Sequence, residues 1–198
     1  MNNYLRGHTE ELAVQTAEQL PPGDRLPSDH PPPHDGPIDS PGAWYGSDLQ
    51  DRSEWKYVLS EQERAELLAA TRAARQLSDN IMDIGKEDFV LPTFAKTIHD
   101  LKQEIMHGRG FVLLRGLPIE GLDFAEIAAM YWGFGAHIGS ARSQNTRGHL
   151  LGHVIDLGSS FDNKSVRGYL TNRHLHYHCD SVDIVGLLCL RKIGRAHV

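Results

Sequence analysis

The stretch from Tyr169 to Leu190, YLTNRHLHYHCDSVDIVGLLCL, contains the densest set of chemically informative residues in the chain. At its centre stand His178, Cys179 and Asp180. In an extended strand, residues two apart project from the same face, so His178 and Asp180 would present an imidazole nitrogen and a carboxylate oxygen side by side. The apolar run that follows, residues 184–190, predicts a strand that is buried on both faces.

These two side chains would supply part of the 2-His-1-carboxylate set that holds Fe(II) in non-haem oxygenases. The three-letter pattern is weak evidence by itself, because 12 His and 15 Asp in 198 residues give about one such match by chance. Two alternatives therefore stay open. His174, His176 and His178 share one parity, and three histidines suit the zinc of a cupin-like metal-dependent isomerase or hydrolase. The histidines could also be partly exposed strand residues that bind no metal.

The wider stretch is more specific. It matches the pattern T-N-x-x-L-x-[FY]-H-x-D-[ST]-x-D-[IV]-[VL]-[GA]-L-[LY]-C-L in register from Thr171 to Leu190. That pattern resembles the first metal-ligand segment of the Fe(II)/2-oxoglutarate-dependent dioxygenases of the taurine dioxygenase-like family. The resemblance covers roughly residues 42–192 and includes three upstream segments: GFVLLRGL (110–117), SQN (143–145) and GHVIDLG (152–158).

The resemblance implies a fold and a set of site residues. The fold would be mainly β with helical decoration, a double-stranded β-helix (jelly roll, clavaminate synthase-like) that is incomplete in this chain. His178 and Asp180 would be the Fe(II) ligands. Asn172, Tyr177 and Ser181 would orient these ligands and help to bind the cofactor.

The resemblance also implies an activity. A member of the family would use 2-oxoglutarate as co-substrate and O₂ to hydroxylate a small organic substrate, expected to be anionic, with release of succinate and CO₂. The family's second histidine ligand and its arginine for 2-oxoglutarate would lie beyond the end of this chain. We therefore expect an N-terminal fragment that is inactive by itself, or no enzyme at all. The polar loop 140–147 could meet an anionic substrate or form a solvated surface, and the sequence does not name the substrate.

Composition limits the partners. The net charge of −6 and the pI of about 6.0 argue against nucleic acid and against an anionic membrane. No apolar run approaches the length of a membrane span, and the N-terminus lacks the layout of a secretory signal. The two cysteines do not resemble a disulfide framework. We expect a cytoplasmic protein whose partners are a small-molecule substrate and O₂, with the oligomeric state open.

Three segments are predicted along the chain. Residues 1–41 form a disordered, proline-rich leader, since eight of the ten prolines lie between Pro21 and Pro41. Residues 42–192 are the N-terminal part of the jelly-roll domain. Residues 193–198, IGRAHV, depart from the family pattern and are expected to be a non-native tail.

Local signals predict three helices and a further strand before the metal-ligand segment. Ser60 and Glu63 form a capping box that opens a helix through about Leu77. Thr93 is the expected N-cap of a helix that ends at Gly108. A third helix begins at Asp123, with its inner face expected at Phe124, Ile127, Ala128 and Tyr131. Residues 110–116, GFVLLRG, predict a buried strand.

Overall fold

The computed structural model describes residues 36–143, 148–152, 154, 180 and 182–190. Its elements are α1 (Gly46–Leu49), β1 (Lys56–Val58), α2 (Glu61–Leu77), a 3-10 helix (Ile81–Asp83), α3 (Phe94–His107), β2 (Leu113–Arg115) and α4 (Phe124–Ile138). The described residues divide into two units. One comprises residues 36–37, 143 and 148–152, which form neither helix nor strand. All of the elements belong to the other unit.

Helix α2 begins as its capping box predicts. The Ser60 hydroxyl accepts a hydrogen bond from the Glu63 backbone N–H at 3.3 Å, and the Glu63 carboxylate accepts one from the Ser60 N–H at 2.8 Å. The helix ends at Leu77, as predicted. Its buried side chains are Glu63, Leu67, Ala70, Thr71 and Ala74. Leu77, the last residue of the helix, is 67% exposed.

Helix α3 has the predicted bounds, and Thr93 is its N-cap residue as predicted, but the Thr93 side chain does not supply the capping hydrogen bond. Thr93 has helical dihedral angles and its side chain makes no capping hydrogen bond. Instead, the carboxylate of Glu66 on α2 accepts hydrogen bonds from the backbone N–H groups of Thr93 and Phe94, both at 3.0 Å. A carboxylate from the neighbouring helix thus satisfies the donors that a helix N-terminus leaves without partners.

The sheet has two parallel strands, with Tyr57 of β1 opposite Leu114 of β2. Parallel strands need a long crossover, and here the crossover contains α2 and α3. Tyr57 and Leu114 are partly buried against the core, whereas Val58 and Leu113 on the other face are exposed. The expectation of a buried strand over residues 110–116 is therefore wrong in extent and burial, because only 113–115 pair and only one face is covered.

Helix α4 is opened by a second capping box, in which Asp123 and Glu126 exchange hydrogen bonds of 2.8 Å. The prediction of which α4 residues face the core is wrong. Phe124 is exposed, and Ile127, Ala128 and Tyr131 are only partly buried. The fully buried side is made by Ala129, Met130, Gly133 and Phe134.

The core lies where α2, α3 and α4 meet the loop before α3. Phe89 in that loop is fully buried. Two side chains of α4 contact the backbone of the same loop. Trp132 Nε1 donates a hydrogen bond to the Ile84 carbonyl oxygen at 2.9 Å. His137 Nε2 lies 2.7 Å from the Phe89 carbonyl oxygen. The largest fully buried side chains are Phe89, Phe94, Leu67, Ile98, Met130 and Thr71.

The prediction of a mainly β fold does not hold for residues 36–143. These residues are mainly helical and contain one small sheet. Residues 169–179 and 181 of the predicted metal-ligand strand lie outside the described ranges. The run 184–190 is described, and the prediction of a strand buried on both faces is wrong there: it is irregular, with Leu187 82% exposed. An apolar run becomes a buried strand only where neighbouring strands and layers cover it, and no strand among the described residues pairs with it.

None of the described helices is both long enough and apolar enough to cross a membrane.

Candidate metal centre

Of the five predicted site residues, the structure describes only Asp180, which is exposed. His178, Asn172, Tyr177 and Ser181 lie outside the described residues, and so do His174 and His176 of the cupin-like alternative. In the part of the chain that is described, no three His, Cys, Asp or Glu side chains group together in a way that could hold a metal ion. The assignment of His178 and Asp180 as ligands therefore stays a prediction.

Asp180 is followed closely by a described segment, Val182 to Leu190. This segment is bent at residues 182–183 and irregular thereafter. Val182, Ile184 and Leu188 are partly buried, while Val185 and Leu187 are exposed. The side of the segment that carries the partly buried residues therefore packs on protein, although the segment forms no strand.

Helix α4 approaches this segment at Gly186. A Cβ atom added at residue 186 would lie 2.6 Å from the Tyr131 hydroxyl oxygen and 3.7 Å from Tyr131 Cζ. Burial raises the pKa of Tyr131 above its ordinary value of 10.0, so the hydroxyl stays protonated at neutral pH. The contact places the ring of Tyr131 beside the backbone of the segment that follows Asp180.

The loop 140–147, which could meet an anionic substrate, is described only in part. Residues 140–143, which include Arg142, are exposed, and residues 144–147 lie outside the described ranges. An exposed arginine suits both a substrate-facing loop and a solvated surface, so this hypothesis also stays a prediction.

A buried polar cluster around Glu63 was not predicted from the sequence. The Glu63 carboxylate accepts hydrogen bonds from the Tyr57 hydroxyl at 2.6 Å and the Thr97 hydroxyl at 3.1 Å through Oε1. Through Oε2 it accepts bonds from the Ser60 N–H at 2.8 Å and the Ser60 hydroxyl at 2.9 Å. Burial acts to raise the pKa of Glu63, but the hydrogen bonds from Tyr57, Ser60 and Thr97 together outweigh it and hold the pKa below 4.5.

This cluster joins β1, α2 and α3, and its acceptor positions are filled by protein donors. Glu63 is therefore a structural carboxylate and not a ligand for a metal or a substrate. The S-x-x-E pattern reveals its bond to Ser60, but no local signal points to Tyr57 or Thr97.

Comparison with known proteins identifies the family. The family model described as taurine catabolism dioxygenase TauD, TfdA family matches residues 73–194, which is more than half of the chain and includes His178 and Asp180. The chain belongs to this family. Membership in the TauD, TfdA family implies a jelly-roll fold. The described residues form helices and one small two-stranded sheet, and they do not show the double-stranded β-helix.

Two curated relatives match most of the chain. FR-33289 synthase from Streptomyces rubellomurinus is 34% identical over 166 residues, which are 82% of this chain and 49% of that protein. Taurine hydroxylase-like protein SAT17 from Stachybotrys chartarum is 29% identical over 163 residues, which are 79% of this chain and 42% of that protein. The chain thus spans about half the length, or less, of these relatives.

TauD, TfdA proteins are generally dioxygenase-type oxidoreductases that depend on Fe(II) and 2-oxoglutarate. The donors in the matched segment fit that metal by their chemistry, since Fe(II) in such enzymes takes imidazole nitrogen and carboxylate oxygen.

Proposed function

We propose that the complete protein is an Fe(II)- and 2-oxoglutarate-dependent oxygenase that hydroxylates a small organic, anionic substrate. In the overall reaction the substrate C–H, 2-oxoglutarate and O₂ give the substrate C–OH, succinate and CO₂. The observation that supports this proposal is the family match over residues 73–194, which contains the His178-x-Asp180 pair. The cupin-like alternative receives no comparable support.

In this proposal His178 and Asp180 are two of the three protein ligands. His178 would donate through a neutral imidazole nitrogen, and Asp180 through one carboxylate oxygen. Asn172, Tyr177 and Ser181 would orient these ligands by hydrogen bonding and help to hold the cofactor, because partners of a ligand fix its orientation. The bound iron and 2-oxoglutarate would supply the oxidative chemistry.

A facial triad needs a third protein ligand. We assign it to a histidine outside these 198 residues, together with an arginine that would pair with the distal carboxylate of 2-oxoglutarate. The half-length coverage of the relatives supports this assignment. We therefore expect the 198-residue chain alone to release no succinate from 2-oxoglutarate.

The test is an assay of the complete protein, prepared without metal and then supplied with Fe(II), Mn(II) or Zn(II). The proposal predicts O₂ uptake and succinate formation that require both Fe(II) and 2-oxoglutarate. A protein that works with Zn(II) or Mn(II) and does not consume 2-oxoglutarate would contradict it. Anionic and neutral compounds tried as substrates would test the substrate class separately, since coupled succinate formation should rise only with the anionic ones.

A further inference from the structure

The outer face of the β1–β2 sheet, which points away from the helices, carries apolar side chains that are exposed to solvent. Paired residues of neighbouring strands project from the same face of a sheet. The register places Lys56 opposite Leu113 and Val58 opposite Arg115, and all four side chains are exposed. Val58 is 66% exposed and Leu113 is 43% exposed. The hydrophobic core covers only the inner face of the sheet.

An open face is unusual for parallel strands. Parallel sheets occur almost only where both faces are covered, because the crossover connection packs on one face and another layer packs on the other. In the described part of the chain, the helices form the layer on the inner face, and no second layer covers Val58 or Leu113. The outer face therefore has the character of an interface that lacks its partner layer.

The charges on this face define what can cover it. Lys56 and Arg115 alternate with Val58 and Leu113 across the two strands. Neither cation forms an ion pair with another described residue. Burying a cation is costly unless it is paired. The covering surface must therefore bring oxygen acceptors to the two cations as well as apolar side chains to Val58 and Leu113.

We infer that the outer face of the β1–β2 sheet is an internal interface of the complete protein, covered by residues outside these 198. The partner surface combines apolar side chains with carboxylate or carbonyl oxygens. The length of the relatives supports this choice, because the matched regions are 49% of one relative and 42% of the other. The family match begins at residue 73, after β1, so the match does not assign this face. The inference is independent of which residues hold iron.

Thiol labelling of the complete protein tests this inference. Val58→Cys and Val90→Cys are matched variants, because both replace a valine and the two valines are 66% and 63% exposed. Val90 lies in the loop before α3, outside the sheet. Each variant is treated with a small maleimide, and mass spectrometry gives the labelling rate at the new cysteine relative to its rate in urea. Val58→Cys should react at least about tenfold more slowly than Val90→Cys, because labelling then requires local opening of the interface.

Two results would overturn the inference. Equal relative rates would show that the outer face stays in contact with solvent in the complete protein. Slow labelling of Val58→Cys that becomes fast on dilution would identify a second copy of the protein as the covering surface.

Hydroxyl-radical footprinting of the unmodified protein makes the same comparison without a substitution, so a variant that fails to fold does not prevent the test. The peptides that contain Val58 and Leu113 should be oxidised less than the peptide that contains Val90. Equal oxidation, corrected for the rates in urea, would again show an uncovered face and overturn the inference.

Discussion

The hydroxyl of Tyr57 donates a 2.6 Å hydrogen bond to Oε1 of Glu63, a residue that is only 6% exposed. The same carboxylate accepts bonds from Ser60 and from Thr97 on α3. A single buried anion therefore connects the first strand, the start of α2 and the next helix. A buried charge is costly unless it is well hydrogen-bonded, so this arrangement should be sensitive to small chemical changes.

Glu63→Gln keeps the shape of the side chain but replaces one acceptor oxygen with an N–H₂ donor. That donor would face either Tyr57 and Thr97 or the two donors of Ser60, and one pair of bonds would be lost. We expect a loss of about 1–3 kcal/mol in the free energy of unfolding, the usual result of leaving buried polar groups without partners. Urea unfolding followed by circular dichroism measures it. Glu61→Gln, an exposed acidic residue in the same helical turn, is the matched control and should change stability by less than about 0.5 kcal/mol.

The same carboxylate predicts a pH dependence. Burial of Glu63 opposes ionisation, but the bonds from Tyr57, Ser60 and Thr97 prevail, so its pKa in the folded chain lies below 4.5. The folded chain then binds a proton at Glu63 less readily than the unfolded chain does. The resulting stability is fully present above pH 4.5 and is lost as the pH falls through the folded pKa. Urea unfolding from pH 7 to pH 3 should show a smaller acid-induced loss in Glu63→Gln than in the wild type. Equal losses would contradict the prediction.

Glu66 gives a third prediction, about the start of α3. Its carboxylate caps that helix from α2 through the N–H groups of Thr93 and Phe94. Glu66→Ala should lower the free energy of unfolding by about 1 kcal/mol, the typical effect of removing an N-cap. Gln76→Ala, at an exposed position on the same helix, is the control and should be close to neutral. If the two variants are equally stable, Glu66 is not the cap that the structure shows.

Two glycines of α4 provide a fourth prediction, in which alanine substitutions change the stability in opposite directions. A Cβ at residue 133 would collide with three ring atoms of the buried Phe89, whereas one at residue 135 would meet nothing within 4 Å. Gly133→Ala should therefore destabilise the protein by about 1–3 kcal/mol through overpacking. Gly135→Ala should stabilise it by up to about 1 kcal/mol through helix propensity. Thermal unfolding of the two variants should shift in opposite directions, and a shift in the same direction would contradict the packing of Phe89 on α4.

These examples show which parts of the fold can be predicted from the sequence. The starts of α2 and α4 are encoded in four consecutive residues each, so the patterns at Ser60 and Asp123 located them correctly. The N-cap position of α3 at Thr93 was also located correctly. The hydrogen bonds that cap this helix come from Glu66, which lies 27 residues earlier in the chain, so no local pattern could reveal them. Hydrophobic patterns also indicate that a segment prefers burial without indicating what covers it. For that reason the predicted burial of residues 110–116 and 184–190 was wrong.

For the candidate site, too, some features could be predicted from the sequence and others could not. The pattern from Thr171 to Leu190 was sufficient to predict the family, which the match over residues 73–194 confirms. The ligand roles of His178 and Asp180 remain predictions, because only Asp180 lies in the described part of the chain. The contact between Tyr131 and Gly186 could not be predicted, since it joins a helix to a distant segment and depends on the absence of a side chain.

The central claim is that His178 and Asp180 hold iron. The most direct test is the iron content of the complete protein and of its Asp180→Ala, His178→Ala and His176→Ala variants, measured after anaerobic loading with Fe(II), together with succinate formation. Our account predicts that Asp180→Ala and His178→Ala lose both iron and activity, and that His176→Ala is affected more mildly. The cupin-like alternative predicts the reverse order, with Asp180→Ala tolerated and His176→Ala as damaging as His178→Ala. Wild-type iron content and succinate formation in Asp180→Ala would contradict our account.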